Sequence, residues 1–378
     1  MRTDEADSAE EAVAALLSRM GPVTHVSRAN AQVLDADGGF PSDDVAALAS
    51  AGALRAVVPT LLGGLGIGTE PSRAAATAAV LHLLGSGSIS LGRIYEAHLN
   101  AIRLVMRFGD AFQRRAVARD ARAGHLHALW VTDAADGLHF IRTSSGIELR
   151  GRKQFCSAAG YATRAVVTAT SPDGERFLMR LKLQCGEVVQ NLPAALQGVR
   201  SACTGCVDFS GATHAAEAVF GGPDAYLREP EFSAGAWRAS AITSGGLSAL
   251  VEAVRAELTA RGRADRPEQR ERLGRMLIHA QTAQLWLLHV APIAEDADRN
   301  PELAAATVNL ARIAIEAACL DTIQLAQRSL GLSAFMRRNP VELICRDLAT
   351  YLRQPAPDEA LNEAAGYFAT HPPPIGLP

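Results

Sequence analysis

Lysine is almost missing from this chain of 378 residues: of its 37 basic residues all are arginine except Lys153 and Lys182. A GC-rich genome produces such a skew more readily than a binding site does, so it carries no functional weight. Excess charge of one sign is missing as well, since 40 acidic residues leave a formal net charge of -3. Nucleic-acid binders gather phosphates with a clustered basic face, and the near-neutral balance argues against that class. Aromatic residues make up only 5%, and the six cysteines stand at 156, 185, 203, 206, 319 and 345. They lack the dense spacing of a stapled secreted domain, which points to free thiols in a reducing cytoplasm. The amino terminus, Met1-Arg2-Thr3-Asp4-Glu5-Ala6-Asp7, is acidic where a signal peptide needs a basic start and an apolar run. From Met276 to Ala294 no charged residue occurs, but His279, Gln281, Gln284 and His289 interrupt the stretch and Pro292 closes it. A buried bundle helix is expected there rather than a membrane span.

What is present is an ordinary globular composition, 48% hydrophobic and 20% charged, long enough for two or three domains. Residues 1–125 carry helical periodicity: Val13, Leu16 and Leu17 share one face, and Val45, Leu48 and Ala49 share another. Pro41-Ser42-Asp43-Asp44 reads as a helix start. A glycine-rich loop, Pro59 to Gly68, separates these helices from two more, at 73–84 and 89–108. Between 126 and 225 the texture turns to short β-prone runs such as Ala165-Val166-Val167-Thr168 and Arg176-Phe177-Leu178-Met179, joined by the hairpin-type turn Pro172-Asp173-Gly174. Residues 226–378 return to the helical period, with Ile242, Leu247, Leu250, Val254 and Leu258 on one stripe and Asn300-Pro301 opening a second long helix. The fold class is therefore α+β: an N-terminal helical domain, a small central β-barrel or sheet domain, and a C-terminal antiparallel helical bundle ending in a short proline-rich tail.

Local motifs carry little chemistry by themselves. Cys203-Thr204-Gly205-Cys206 has metal spacing without a second ligand pair, so no metal site is assigned. The GGLGIG run at 63–68 follows a helix, not a strand, and so fails the dinucleotide fingerprint. There is no Walker A, HExxH or GxSxG pattern. His98, two residues after Glu96, is the one histidine close to a carboxylate on a helix.

Read together, the parts resemble the acyl-CoA dehydrogenase superfamily. Pro59 with Gly63-Gly64-Leu65-Gly66 is similar to the family's proline and GGxG loop. Trp130-Val131-Thr132-Asp133 resembles the strand ending in Thr-Glu beside the flavin, and Gly151-Arg152-Lys153-Gln154-Phe155-Cys156-Ser157 resembles the G-x-K-x-W-I-T/S strand. Gln327 to Gly331 is similar to the QxxGG turn, and Pro340-Val341-Glu342-Leu343-Ile344-Cys345-Arg346-Asp347 matches the PVExxxRD segment. The resemblance implies FAD bound in an extended pose. Val131, Thr132 and Ser157 would hydrogen-bond its polar edge and Phe155 would cover a ring face, with Trp130 and Cys156 also among the cofactor-binding residues. Gln327 and Gly331 would serve the adenosine end across a subunit interface. It also implies a homodimer or homotetramer acting on a small-molecule substrate, with no nucleic-acid or membrane partner.

Two departures bear on activity. At the two positions where the family places its catalytic glutamate this chain has Pro355 and Ala239. Losing a general base removes on the order of 10² to 10⁴ in rate, so dehydrogenation requires a relocated acid: Glu96, Asp358 or Glu359. The segment Asp133-Ala134-Ala135-Asp136-Gly137 replaces the family's phosphate-meeting loop with acid, and Arg261-Gly262-Arg263 lacks the Phe-Gly of the R-x-x-F-G motif. Three readings stay open: a flavin oxidoreductase oxidising an acyl thioester or related substrate, a flavin monooxygenase with His98 and Asn100 near the ring, or a degenerate subunit paired with an active homologue. Arg346-Asp347 is read as an ion pair within a docked helix.

Overall fold

The computed structural model describes residues 2–183, 188–191, 195–296, 298–353 and 355–373; Cys185 and the last five residues of the tail lie outside them. Six helices come first: α1 (Arg2–Asp37), α2 (Ser42–Ser50), α3 (Ala53–Ala56), α4 (Ala74–Gly87), α5 (Ile89–Phe108) and α6 (Ala111–Arg122). The start of α5 is fixed by the Ser88 hydroxyl accepting from the Leu91 N–H, and that of α6 by a capping box between Asp110 and Gln113. In the glycine-rich loop, a Cβ on Gly64 would lie 1.8 Å from the Val58 carbonyl oxygen, so the close return of the loop onto α3 requires glycine.

Among the described residues nine strands follow: β1 (His127–Trp130), β2 (Asp133–Thr143), β3 (Gly146–Cys156), β4 (Arg164–Thr170), β5 (Arg176–Lys182), β6 (Val188–Asn191), β7 (Gly205–Asp208), β8 (Thr213–His214) and β9 (Val219–Phe220). They form one sheet in the order β6-β7-β3-β2-β4-β5-β9, with β1 parallel to β4 and β8 against β3. β4 is buried on both faces, its run of alanine and valine interrupted only by Thr168, and turns into β5 through Ser171–Glu175, where Gly174 takes φ +85. The Asp133–Gly137 segment is a bulged start of β2, its register shifting between Asp133 and Leu138.

The C-terminal bundle comprises α7 (Trp237–Ala260), α8 (Pro267–Glu295), α9 (Pro301–Leu330), α10 (Pro340–Tyr351) and α11 (Pro357–Thr370). Asn300 and Asn339 cap α9 and α10 with side-chain oxygens on Leu303 N–H and Val341 N–H, each followed by proline at the first helical position. The bundle joins the N-terminal helices where α7 crosses α4: a Cβ on Gly245 would meet the His82 carbonyl at 2.1 Å, and one on Gly85 the Ile242 carbonyl at the same distance.

Two expectations are corrected. The charge-free run in α8 is not a buried helix. Met276, Ala283, Leu287 and Val290 face the core, while Leu277, Ile278, Leu285 and Leu288 stand exposed on the outer face. An absence of charge marks two apolar faces equally well whether both are covered or only one. Nor do Arg346 and Asp347 pair within α10. The Arg346 guanidinium takes both oxygens of Asp35 on α1, at 2.9 and 2.8 Å, and reaches Glu342 at 2.8 Å. Asp347 accepts from the Val199 N–H at 2.7 Å; burial nevertheless pushes its carboxyl up to about 7, against the pull of Val199 and Arg346. Together they staple α10 to α1 and to the segment before β7.

Candidate functional site

The residues matched to the flavin edge gather where β1 and β3 end. Trp130 is buried, and its indole N–H donates to the Ser157 carbonyl at 2.9 Å, tying the two strand ends together. The buried Lys153 ammonium donates to the Val131 carbonyl (3.2 Å), Asp133 (2.6 Å) and Thr168 Oγ1 (2.8 Å), which fixes the chain between β1 and β2. Burial lowers the Lys153 pKa, with Asp133 pulling the other way. Thr132 is exposed and accepts from the Gln154 N–H at 3.0 Å. Phe155 leaves the strand conformation at φ +55, a left-handed setting that costs a residue with a Cβ about 1 kcal/mol or more, and its side chain is 52% exposed. Cys156 and Ser157 point inward, and burial raises the Cys156 thiol pKa. An apolar ring turned outward at a conformational cost, beside an exposed hydroxyl, is a platform that fits a planar flavin ring. The acid expected in the neighbouring segment is neutralised, Asp133 by Lys153 and Asp136 by Arg152 at 3.0 Å.

Gln327 and Gly331 sit at the end of α9. Gly331 adopts φ +60 and ψ -141, a conformation open to glycine, and returns its N–H to the Gln327 carbonyl. Arg261 lies beside this turn, paired with Glu257 and 2.5 Å from Ser333 Oγ. No hydrogen bond among the described residues joins this turn to the β1–β3 edge.

The candidate acids separate. Asp358 and Glu359 are exposed on the first turn of α11. Glu96 is buried, and its oxygens accept from Arg93 (2.7 Å), Asn100 (2.8 Å) and the Tyr351 hydroxyl (3.0 Å). His98 faces the other side of α5. Its Nδ1 accepts from the His127 N–H at 3.1 Å, so Nε2 carries the proton and donates to the Leu54 carbonyl at 2.9 Å. The ring is wholly buried and held neutral, its pKa lowered to about 4 by desolvation. His127, also buried, is lowered well below the ordinary value for the same reason.

The structure also reveals a charged array that the sequence reading passed over. Arg238 on α7 donates to Asn100 Oδ1 (2.6 Å) and to Glu295 on α8 (2.7 Å), which also accepts from the Trp237 indole at 3.0 Å. Arg103 pairs with the other oxygen of Glu295 and donates to the Gly68 carbonyl at 3.0 Å, while Glu231 pairs with Arg107 and lies 3.5 Å from Arg103. Burial pulls the Arg238 pKa down, reinforced by Arg103; desolvation also opposes Arg103, but Glu295 and Glu231 outweigh it and raise that group. The signal was present in the spacing of Arg93, Glu96, Asn100, Arg103 and Arg107, a polar stripe at intervals of three and four down a helix otherwise apolar. Within the stripe Arg93 keeps 26% of its side-chain surface open, with Glu96 and Tyr351 holding its pKa up against desolvation.

Residues 10–125 match the family described as acyl-CoA dehydrogenase, N-terminal domain. No curated protein matches the chain. Among solved structures, KijD3 in complex with FMN and dTDP-3-amino-2,3,6-trideoxy-4-keto-3-methyl-D-glucose is 21% identical with a TM-score of 0.80, over 95% of this chain and 94% of that one. Dibenzothiophene monooxygenase (TdsC) from Paenibacillus sp. A11-2 is 18% identical with a TM-score of 0.82, over 93% and 96%. Butyryl-CoA dehydrogenase from Megasphaera elsdenii is 14% identical with a TM-score of 0.80, over 94% and 98%. The chain has the acyl-CoA dehydrogenase fold, which flavin-dependent enzymes of more than one chemistry share.

Proposed function

We propose that this protein is a flavin-dependent monooxygenase acting on a small polar substrate. The observation that carries the reading is the state of Glu96. Three donors occupy its oxygens, the usual base positions hold Pro355 and Ala239, and Asp358 and Glu359 face solvent. A carboxylate that accepts from a guanidinium, an amide and a phenol is poorly placed to take a proton from an α-carbon. Monooxygenation needs no such base. Bound reduced flavin supplies the electrons with which dioxygen is activated for transfer of one oxygen atom. KijD3 and TdsC were both solved with FMN, and TdsC is a dibenzothiophene monooxygenase, which supports this chemistry on the fold.

The protein's part is placement. Phe155 packs one face of the ring and Thr132 offers a hydroxyl at its polar edge, both steadied by the Trp130–Ser157 and Lys153–Val131 hydrogen bonds. Arg93, oriented by Glu96 and partly open, gives a polar or anionic substrate a fixed donor. Arg261 is paired with Glu257 and Ser333 rather than left open for the adenosine-side phosphate of FAD, which favours FMN as the flavin. The uncovered Leu277, Ile278, Leu285 and Leu288 face of α8 supports a homo-oligomer.

The test loads the protein with FMN or FAD, reduces the flavin chemically before dioxygen is admitted in the labelling arm, and separates three outcomes. Incorporation of label from isotopic dioxygen into a small polar product, with no anaerobic bleaching by acyl thioesters, supports the reading. Anaerobic bleaching identifies a dehydrogenase instead. A protein that retains neither flavin is the non-catalytic subunit.

A further inference from the structure

Where α5 ends, positive charge is left over. A cavity of about 560 Å³ opens between the loop of residues 59–71, the last turns of α5, the first turns of α6 and the end of α8. Four arginines line it: Arg103, Arg107, Arg114 and Arg115. Arg103 and Arg107 have their carboxylates in Glu295 and Glu231. Arg114 and Arg115 have no carboxylate within ion-pair distance among the described residues; Arg114 only leans on the Arg107 carbonyl at 3.5 Å. Glu295, the one acid on the lining, is no repellent, because Arg238 and Trp237 take one of its oxygens and Arg103 the other. Beside the guanidinium groups the wall is apolar, with Met106 and with Leu61 almost wholly exposed at 97%.

A cavity of this size suits a small molecule, and planar guanidinium forks match phosphate oxygens two at a time. We propose that this cavity binds a phosphorylated small molecule, with Arg114 and Arg115 taking the phosphate and Leu61 and Met106 the apolar part. Arg107, half open, closes the third side of the anion, and Glu231 keeps its guanidinium in place. The site is separate from the Phe155 platform and does not depend on the flavin reading.

The test is calorimetric titration of the full chain at low ionic strength, where exposed charge is least screened, using phenyl phosphate and inorganic phosphate. The methyl resonance of Met106, assigned with Met106→Leu, serves as a second readout in flavin-free and flavin-loaded protein. Saturable binding of phenyl phosphate, about tenfold tighter than inorganic phosphate, with a shift of the Met106 methyl, is expected. The double variant Arg114→Glu/Arg115→Glu loses about tenfold or more in affinity, while Arg270→Glu/Arg275→Glu, the same charge change on exposed residues of α8, loses none. No saturable binding at millimolar concentration, equal affinity for the two probes, an unmoved Met106 methyl, or equal losses in the two double variants would each overturn the proposal.

Discussion

The two ends of α5 are built from the same residue types and behave in opposite ways. At the Arg93–Glu96 end, extending through Asn100 and Arg103, every carboxylate is consumed by arginines, an amide, an indole or a phenol, the helix is locked to α7, α8 and α10, and of the arginines there only Arg93 keeps as much as a quarter of its side chain open. At the other end, where α5 gives way to α6, the guanidinium groups of Arg107, Arg114 and Arg115 outnumber their acids and open onto a cavity. Residue identity does not separate a structural array from a binding surface. What separates them is whether the partners are enclosed.

The enclosed end breaks hardest. Glu295→Leu would leave Arg103 and Arg238 buried with one acid fewer, and is expected to cost about 3–5 kcal/mol in urea unfolding. Acid sharpens the contrast on the other face of the same helix. His98 is neutral in the fold at pH values where an unfolded histidine is charged, so the unfolded chain binds the extra proton. The stability His98 permits is complete above pH 6.5 and is lost as pH falls toward about 4, by about 3 kcal/mol in all. Denaturation of wild type and His98→Gln across that window should show a steeper acid loss in wild type. At the flavin platform, Phe155→Gly relieves the left-handed strain and removes the ring. It is expected to raise stability by about 1 kcal/mol and weaken flavin binding about tenfold, by melting and by fluorescence titration respectively. The smallest effect belongs to Asp358→Asn with Glu359→Gln, exposed on α11: under about 0.5 kcal/mol in stability, with no change in flavin spectrum.

What could be read from the sequence follows the same division between local and enclosed. Asn300-Pro301 and Asn339-Pro340 announce helix starts because a cap is satisfied within three residues of chain. The three-part architecture was legible because hydrophobic period changes where helix gives way to strand. The outer face of α8 was not legible, since leucines that pack and leucines that stay bare look alike in one chain. Asp35 could not be matched to Arg346 across 311 positions, because no local rule ties them. The candidate site was half legible. The Phe155 segment carried its pattern, but the left-handed turn that exposes the ring is a backbone property. Glu96 drew notice as an acid; the arginine and amide that occupy it lie on α5 within four residues, while the phenol, Tyr351 of α10, is joined to it only by the fold.

The most direct test of the account is whether Glu96 acts as a base. Flavin-loaded wild type and Glu96→Gln are titrated anaerobically with a panel of acyl thioesters while the flavin absorbance is followed. The flavin is expected to stay oxidised in both proteins. Bleaching in wild type that disappears in Glu96→Gln would contradict it and make Glu96 the relocated base of a dehydrogenase.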